Sequence, residues 1–182
     1  MKCGVCFMNK QVGYLGKDKT FRANASQFFV AGELCRRGYS AVVTLGNTPN
    51  TDILCSIMEG TRFVHIQVKT LVPGNRTCSV GRKAEKDFGE NFFWVLGGIP
   101  LPDSNSDFYY FIIPSHEMAI HVIEAYQFWS NSLGKNGQPH NDSKVRIVHL
   151  PPSISLTGWD ISEYRYRWDL IEGKLRSGII PK

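Results

Sequence analysis

Nowhere does the chain hold an apolar run approaching the ~18 residues that a membrane span requires, so the sequence argues against a transmembrane helix. Before Lys10 there is only a short apolar patch, too short for a secretory leader, and the protein is expected in the cytoplasm. No GxGxxG and no P-loop occur, which removes support for a nucleotide cofactor. No internal repeat and no domain boundary is found. Cysteine is scarce and odd in number: Cys3, Cys6, Cys35, Cys55 and Cys78. Without an export signal, such a set argues against a disulfide framework. Cys3 and Cys6 form a lone CxxC, and no second Cys or His pair follows to complete four zinc ligands. Zinc, a redox pair and coincidence all stay open there, with coincidence favoured. Cys35 and Cys55 sit in apolar patterns and read as core filler.

Negative charge is also in short supply. Sixteen Asp and Glu face twenty-one Lys and Arg, giving a formal net charge of +5 and a pI near 9.0. Up to Ser26 there are Lys2, Lys10, Lys17, Lys19 and Arg22 against Asp18 alone. Residues 1–23 therefore read as a basic arm. It suits an anionic partner such as DNA, and a merely solvated charged tail is the competing reading. What is present in quantity is ordinary for a soluble protein: 42% hydrophobic and 20% charged residues. The 182 residues are close to one domain, placed at 24–182.

Along that domain the pattern predicts a helix from Asn24 to Arg37, stopped by Gly38. Strands follow at Ser40–Leu45, Asp52–Ile57 and Arg62–Thr70, separated by turns at Gly46–Asn50 and Glu59–Gly60. A short helix is expected around Arg82 to Phe88. The nearly continuous apolar run Asn91–Leu96 predicts a strand buried on both faces. Phe108–Ile113 reads as a further strand. Ser115 is the expected cap of a helix running to about Ser132, with Met118, Ala119, Val122, Ile123 and Tyr126 along one side. After a polar loop at Gly134–Lys144 come a strand at Val145–Leu150 and a closing helix at Ile161–Leu175. The order points to one mixed α/β domain.

The chemistry gathers in the third strand. Side chains alternate with a period of two, so Val64, Ile66 and Val68 share the core side while His65, Gln67 and Lys69 share the other. Asp52 opens the preceding antiparallel strand. A carboxylate, an amide and an ammonium can thus converge near one sheet edge, a set suited to metal-assisted phosphodiester hydrolysis. Asp52 and the Gln67 carbonyl offer oxygens to a hard cation such as Mg²⁺, and Lys69 could position water or offset phosphate charge. The same alternation also describes any half-exposed strand.

The stretches Phe28–Tyr39, Asn47–Leu54 and His65–Thr70 together resemble the core of the PD-(D/E)XK nuclease superfamily, most closely its Holliday-junction-resolvase-like and Mrr-like restriction branch. The resemblance covers roughly a quarter of the chain. It implies a restriction-endonuclease-like mixed β-sheet flanked by helices, acting on DNA with Mg²⁺ or Mn²⁺, in a branch whose members often work as dimers. Carried over by position, Asp52 becomes the metal-binding aspartate, Gln67 takes the (D/E) place as a Q-x-K variant, and Lys69 is the lysine. The Val68 carbonyl would help complete the metal site.

Many relatives also carry a glutamate on the first helix. Here Gln27 falls at that place, on the face shared with Val30, Ala31 and Leu34, whereas Glu33 falls toward the surface. With amides at both Gln27 and Gln67, Asp52 is the one carboxylate at the metal. Two readings follow: a Mg²⁺-dependent deoxyribonuclease, or a catalytically silent module of the same fold that binds nucleic acid or a protein. His65 shares the Gln67 and Lys69 face, with a structural role favoured. The group Tyr164, Arg165, Tyr166, Arg167 and Trp168 reads as the docking of a terminal helix ahead of a base-stacking patch.

Overall fold

The computed structural model describes residues 19–44 and 48–177. The Cys3–Cys6 pair, most of the basic arm, and Leu45 to Asn47 at the first turn lie outside them. Helix α1 spans Lys19–Arg36. Strands β1 (Ser40–Val43), β2 (Ile53–Ser56) and β3 (Phe63–Leu71) follow. Then come β4 (Thr77–Ser79), a short 3-10 helix (Arg82–Glu85), β5 (Phe92–Gly98) and β6 (Tyr109–Pro114). Helix α2 (Ser115–Asn131), β7 (Ile147–His149), a second 3-10 helix (Ile161–Tyr164) and α3 (Trp168–Arg176) complete the chain.

Five strands form one mixed sheet in the order β1-β2-β3-β5-β6, and β4 pairs with β7 in a separate two-stranded ribbon. The β3–β5 pair is parallel and the others are antiparallel. This is the expected mixed sheet flanked by helices. Strand parity divides the core into two layers. Val64, Ile66 and Val68 of β3 join Phe93, Val95 and Ile112 beneath Val30, Ala31 and Leu34 of α1 and Trp168, Ile171 and Leu175 of α3. On the opposite face Leu71, Phe92, Trp94, Leu96 and Ile113 pack against α2, the β4–β7 ribbon and both 3-10 helices. Every residue of β5 is buried, as its apolar run predicts for a strand covered on both sides.

That second layer corrects the picture of β3 as half-exposed: Gln67, on the polar side of the alternation, is only 4% exposed. Other expectations shift too. Helix α1 begins at Lys19 instead of Asn24, because its first turn carries Arg22 and an exposed Phe21 and so shows no apolar period. Cys55 is buried core, whereas Cys35 is exposed on α1. Ser115 is the first residue of α2 instead of its cap; its hydroxyl accepts from the Phe88 N–H at 2.7 Å. The closing helix is broken at Arg165–Arg167. There Tyr166 adopts φ 57° and gives its N–H to Tyr110 at 2.9 Å, so the chain bonds to β6 before α3 resumes. Trp168 packs against Tyr110 with 5.3 Å between ring centroids, which is the docking role read from the sequence.

Glu33 lies on the outer side of α1, paired with Arg36 and Arg37 at 2.8 Å, and Arg37 reaches Glu172 of α3 at 3.0 Å. Leu34, one residue along, is fully buried. Leu34→Ala is expected to destabilise the fold by about 2–5 kcal/mol, and Glu33→Ala by less than about 1 kcal/mol. Urea denaturation checks both, and equal losses would contradict this assignment of the two faces.

Candidate phosphodiester-binding site

The site begins where two strands of unequal length part. β3 is nine residues long, but β2 pairs only with Phe63–Ile66. From Gln67 to Leu71, β3 has β5 on one side and, among the described residues, no strand on the other. β2 cannot run farther back because Asn50 takes φ 62° in the turn ahead of it. Asp52 occupies the junction. Its N–H donates to the Ile66 carbonyl at 2.9 Å, and its Oδ2 accepts the Val68 N–H at 2.7 Å. A side-chain carboxylate thus takes the place of the missing strand partner.

The Gln67 carboxamide lies beside it. Its Nε2 donates to Asp52 Oδ2 in a short contact and faces the Val68 carbonyl at 3.5 Å. Its Oε1 accepts from Lys83 Nζ, also closely. Both ends of this buried amide are therefore satisfied, which a buried polar group requires. Lys83 comes from the 3-10 helix Arg82–Glu85, and its Nζ stands 6.0 Å from the centre of the Trp94 ring. Burial and the nearby Lys69 hold its ammonium below the ordinary lysine range, with Asp52 pulling the other way.

A cleft of about 430 Å³ opens along the unpaired edge. One wall is α1, with Lys19, Arg22 and Gln27; the floor is Val68 to Leu71; the far wall is Thr77, Cys78 and Ser79 of β4 with Ile147 of β7. Among the described residues three cations, Lys19, Arg22 and Lys69, line it and no Asp or Glu does. Arg22 Nε is buried with no hydrogen-bond partner among the described residues. Cys78 is no candidate nucleophile here, because burial pushes its thiol up to about 12.

Of the residues singled out in the sequence, Asp52, Gln67 and Val68 meet directly. Lys69 lies next along the edge, lining the cleft with Gln27 and Val68. His65 stands outside that cleft, with Nδ1 3.2 Å from Thr51 Oγ1. The loop 134–144 lines no part of it either; Asp142 is held by the Tyr126 hydroxyl. Lys83 is the residue the sequence reading missed. Sixteen positions separate it from Gln67, and no spacing rule links a lysine on that short helix to a strand amide. The usable signal was Gln67 itself: once β3 is covered on both sides, its carbonyl must find a donor.

The oxygens gathered here, Asp52 carboxylate, Gln67 amide and Val68 carbonyl, are of the hard type that Mg²⁺ or Mn²⁺ takes. A cation already stands on one of them, the Lys83 ammonium on Gln67 Oε1. By chemistry the donor set fits a small divalent ion, with one carboxylate to hold it. Among the described residues no group of three or more His, Cys, Asp or Glu could do so.

Gln67→Leu is expected to cost about 1–3 kcal/mol, since it leaves Asp52 Oδ2 without its amide donor in a covered part of the sheet. An unchanged urea midpoint would mean that these contacts contribute nothing to the fold.

No protein-family model matches the chain, and no curated protein matches it in sequence. Its fold is similar to that of a bacterial homing endonuclease, with a TM-score of 0.49 and 16% identity over 86% of this chain and 94% of that one. It is also similar to a Holliday junction resolvase from the archaeal hyperthermophile Archaeoglobus fulgidus, with a TM-score of 0.40 and 15% identity over 78% of this chain and 93% of the other.

Proposed function

We propose that the protein binds DNA along the cleft and hydrolyses a phosphodiester at the Asp52–Gln67–Lys69 edge, with Mg²⁺ or Mn²⁺ as its cofactor. The observation that carries this reading is the position of the cleft: among the described residues three cations and no carboxylate line it, and it reaches Val68, whose N–H is held by Asp52. A polyanion is drawn to such a surface, and the lone carboxylate marks where positive charge would be concentrated. The nuclease resemblance of Asp52 and the Q-x-K strand supplies the reaction class.

In this reading Lys19 and Arg22 hold backbone phosphates from α1, and Gln27 contacts the strand from the same wall. Asp52, Gln67 and the Val68 carbonyl would hold the ion. Once bound, it supplies Lewis-acid polarisation of the phosphate and an acidified water. Lys69 extends from the cleft floor and, among the described residues, makes no hydrogen bond or ion pair. Its ammonium is available to orient a water or to offset charge building on the phosphate.

A binding-only reading is favoured by one observation, the single carboxylate in the donor set. One experiment separates the two. Plasmid incubated with Mg²⁺ or Mn²⁺ should be cut by the wild type and not by Asp52→Ala or Lys69→Ala. Cleavage that survives in both variants would place the chemistry elsewhere, and salt-sensitive binding without cleavage would leave only the module. Binding itself is tested by Lys19→Ala/Arg22→Ala. Loss of two phosphate contacts should weaken duplex binding alike for all sequences and reduce the log–log salt slope by roughly 1.8. An unaltered slope would remove the cleft from the DNA path.

A further inference from the structure

We infer that Lys83 is a tethered competitor of the divalent ion, so that its ammonium and the ion are alternative occupants of the Gln67 amide. The inference rests on the reading of Asp52 and Gln67 as metal ligands and adds a residue and a regulation to that site.

The reasoning starts from what an amide can offer. It has one oxygen end and one nitrogen end, and at Gln67 both are committed. The oxygen is on Lys83 Nζ, and the nitrogen faces Asp52 Oδ2 and the Val68 carbonyl. In this arrangement Gln67 presents N–H groups, not a lone pair, toward the aspartate. An ion shared by Asp52 and Gln67 needs the oxygen on the aspartate side. Turning the amide to deliver it would point the NH₂ at the Lys83 ammonium, donor against donor. The oxygen can serve the ion only after Lys83 has left.

Two further observations make this an arrangement the fold holds, and one it can release. The segment carrying Lys83 is fixed in place: the Val80 N–H donates to the Arg146 carbonyl at 2.9 Å, and Glu85 pairs with the Arg146 guanidinium. Arg146 is itself only 3% exposed, with its guanidinium 3.3 Å from the centre of the Tyr126 ring. Lys83, by contrast, is an exposed residue whose head alone reaches inward. Its stem can swing to water without moving the backbone that bears it.

The test is Mn²⁺ affinity by isothermal titration calorimetry without DNA, so that no activity enters. Lys83→Met should bind Mn²⁺ roughly 10–100-fold more tightly than wild type, the range by which partners of metal ligands alter affinity. Lys86→Met removes the same charge from the same segment, where Lys86 lies over Phe88, and should change affinity by less than about twofold. Lys83→Met binding no tighter than Lys86→Met overturns the exchange and leaves the metal reading intact. Absence of Mn²⁺ binding in wild type and Lys83→Met alike, with Asp52→Asn indistinguishable from both, overturns the metal reading and this inference with it. Should Lys83→Met fail to fold, Mg²⁺ titration of the wild type followed by NMR decides. The Gln67 side-chain amide and the Lys83 side-chain signals should move with one common midpoint, and a Gln67 shift with Lys83 unmoved would refute the exchange.

Discussion

A carboxamide held in the middle of a covered sheet is the constraint from which the site follows. Gln67 belongs to the polar side of β3, yet that side is roofed by the β4–β7 ribbon and the short helix beyond β4. A buried amide left without partners costs about 1–3 kcal/mol. The fold answers with a carboxylate at one end and an ammonium at the other. The carboxylate has a second duty, since Asp52 also accepts the Val68 N–H at the point where β2 runs out. One aspartate thus closes a sheet ladder, orients an amide and provides the site's anionic charge.

The strand mismatch is what makes this edge useful. Exposed strand edges invite pairing with other chains, and natural sheets cover or charge them. Here the edge is walled by α1 and by the ribbon, and cations stand along it. The open space that remains is lined, among the described residues, by cations and no acid, and it reaches Val68, whose N–H Asp52 holds. Geometry and charge point the same way, and in the reading proposed above both favour an anionic ligand over a neutral one.

How much of this was legible in the residues follows from range. Alternation in Phe63–Thr70 separated Val64, Ile66 and Val68 from His65, Gln67 and Lys69, and the structure keeps that separation. The continuous apolar run of β5 foretold burial on both faces. From there the burial of Gln67 was within reach, because a strand covered on both sides covers its neighbour as well. Lys83 was not, since its contact depends on where the short helix Arg82–Glu85 comes to lie against β3. β4 escaped notice for a related reason: three residues are too few to show a period, and the ribbon exists only because β7 comes back to meet it. The break at Tyr166 is likewise a tertiary choice, a backbone bond to β6 preferred over one more helical turn.

The glycine pair at the end of β5 has a further consequence. A β-carbon at Gly97 would come within 2.6 Å of Ser26 Oγ on α1. The helix therefore lies so close on the sheet that a side chain at Gly97 would require Ser26 to shift. Arg22 lies about one turn before that contact on α1 and Gln27 is the next residue after it. The position of this cleft wall over the sheet thus depends on a missing methyl group beneath the helix. A residue that lines no part of the cleft thereby bears on its shape.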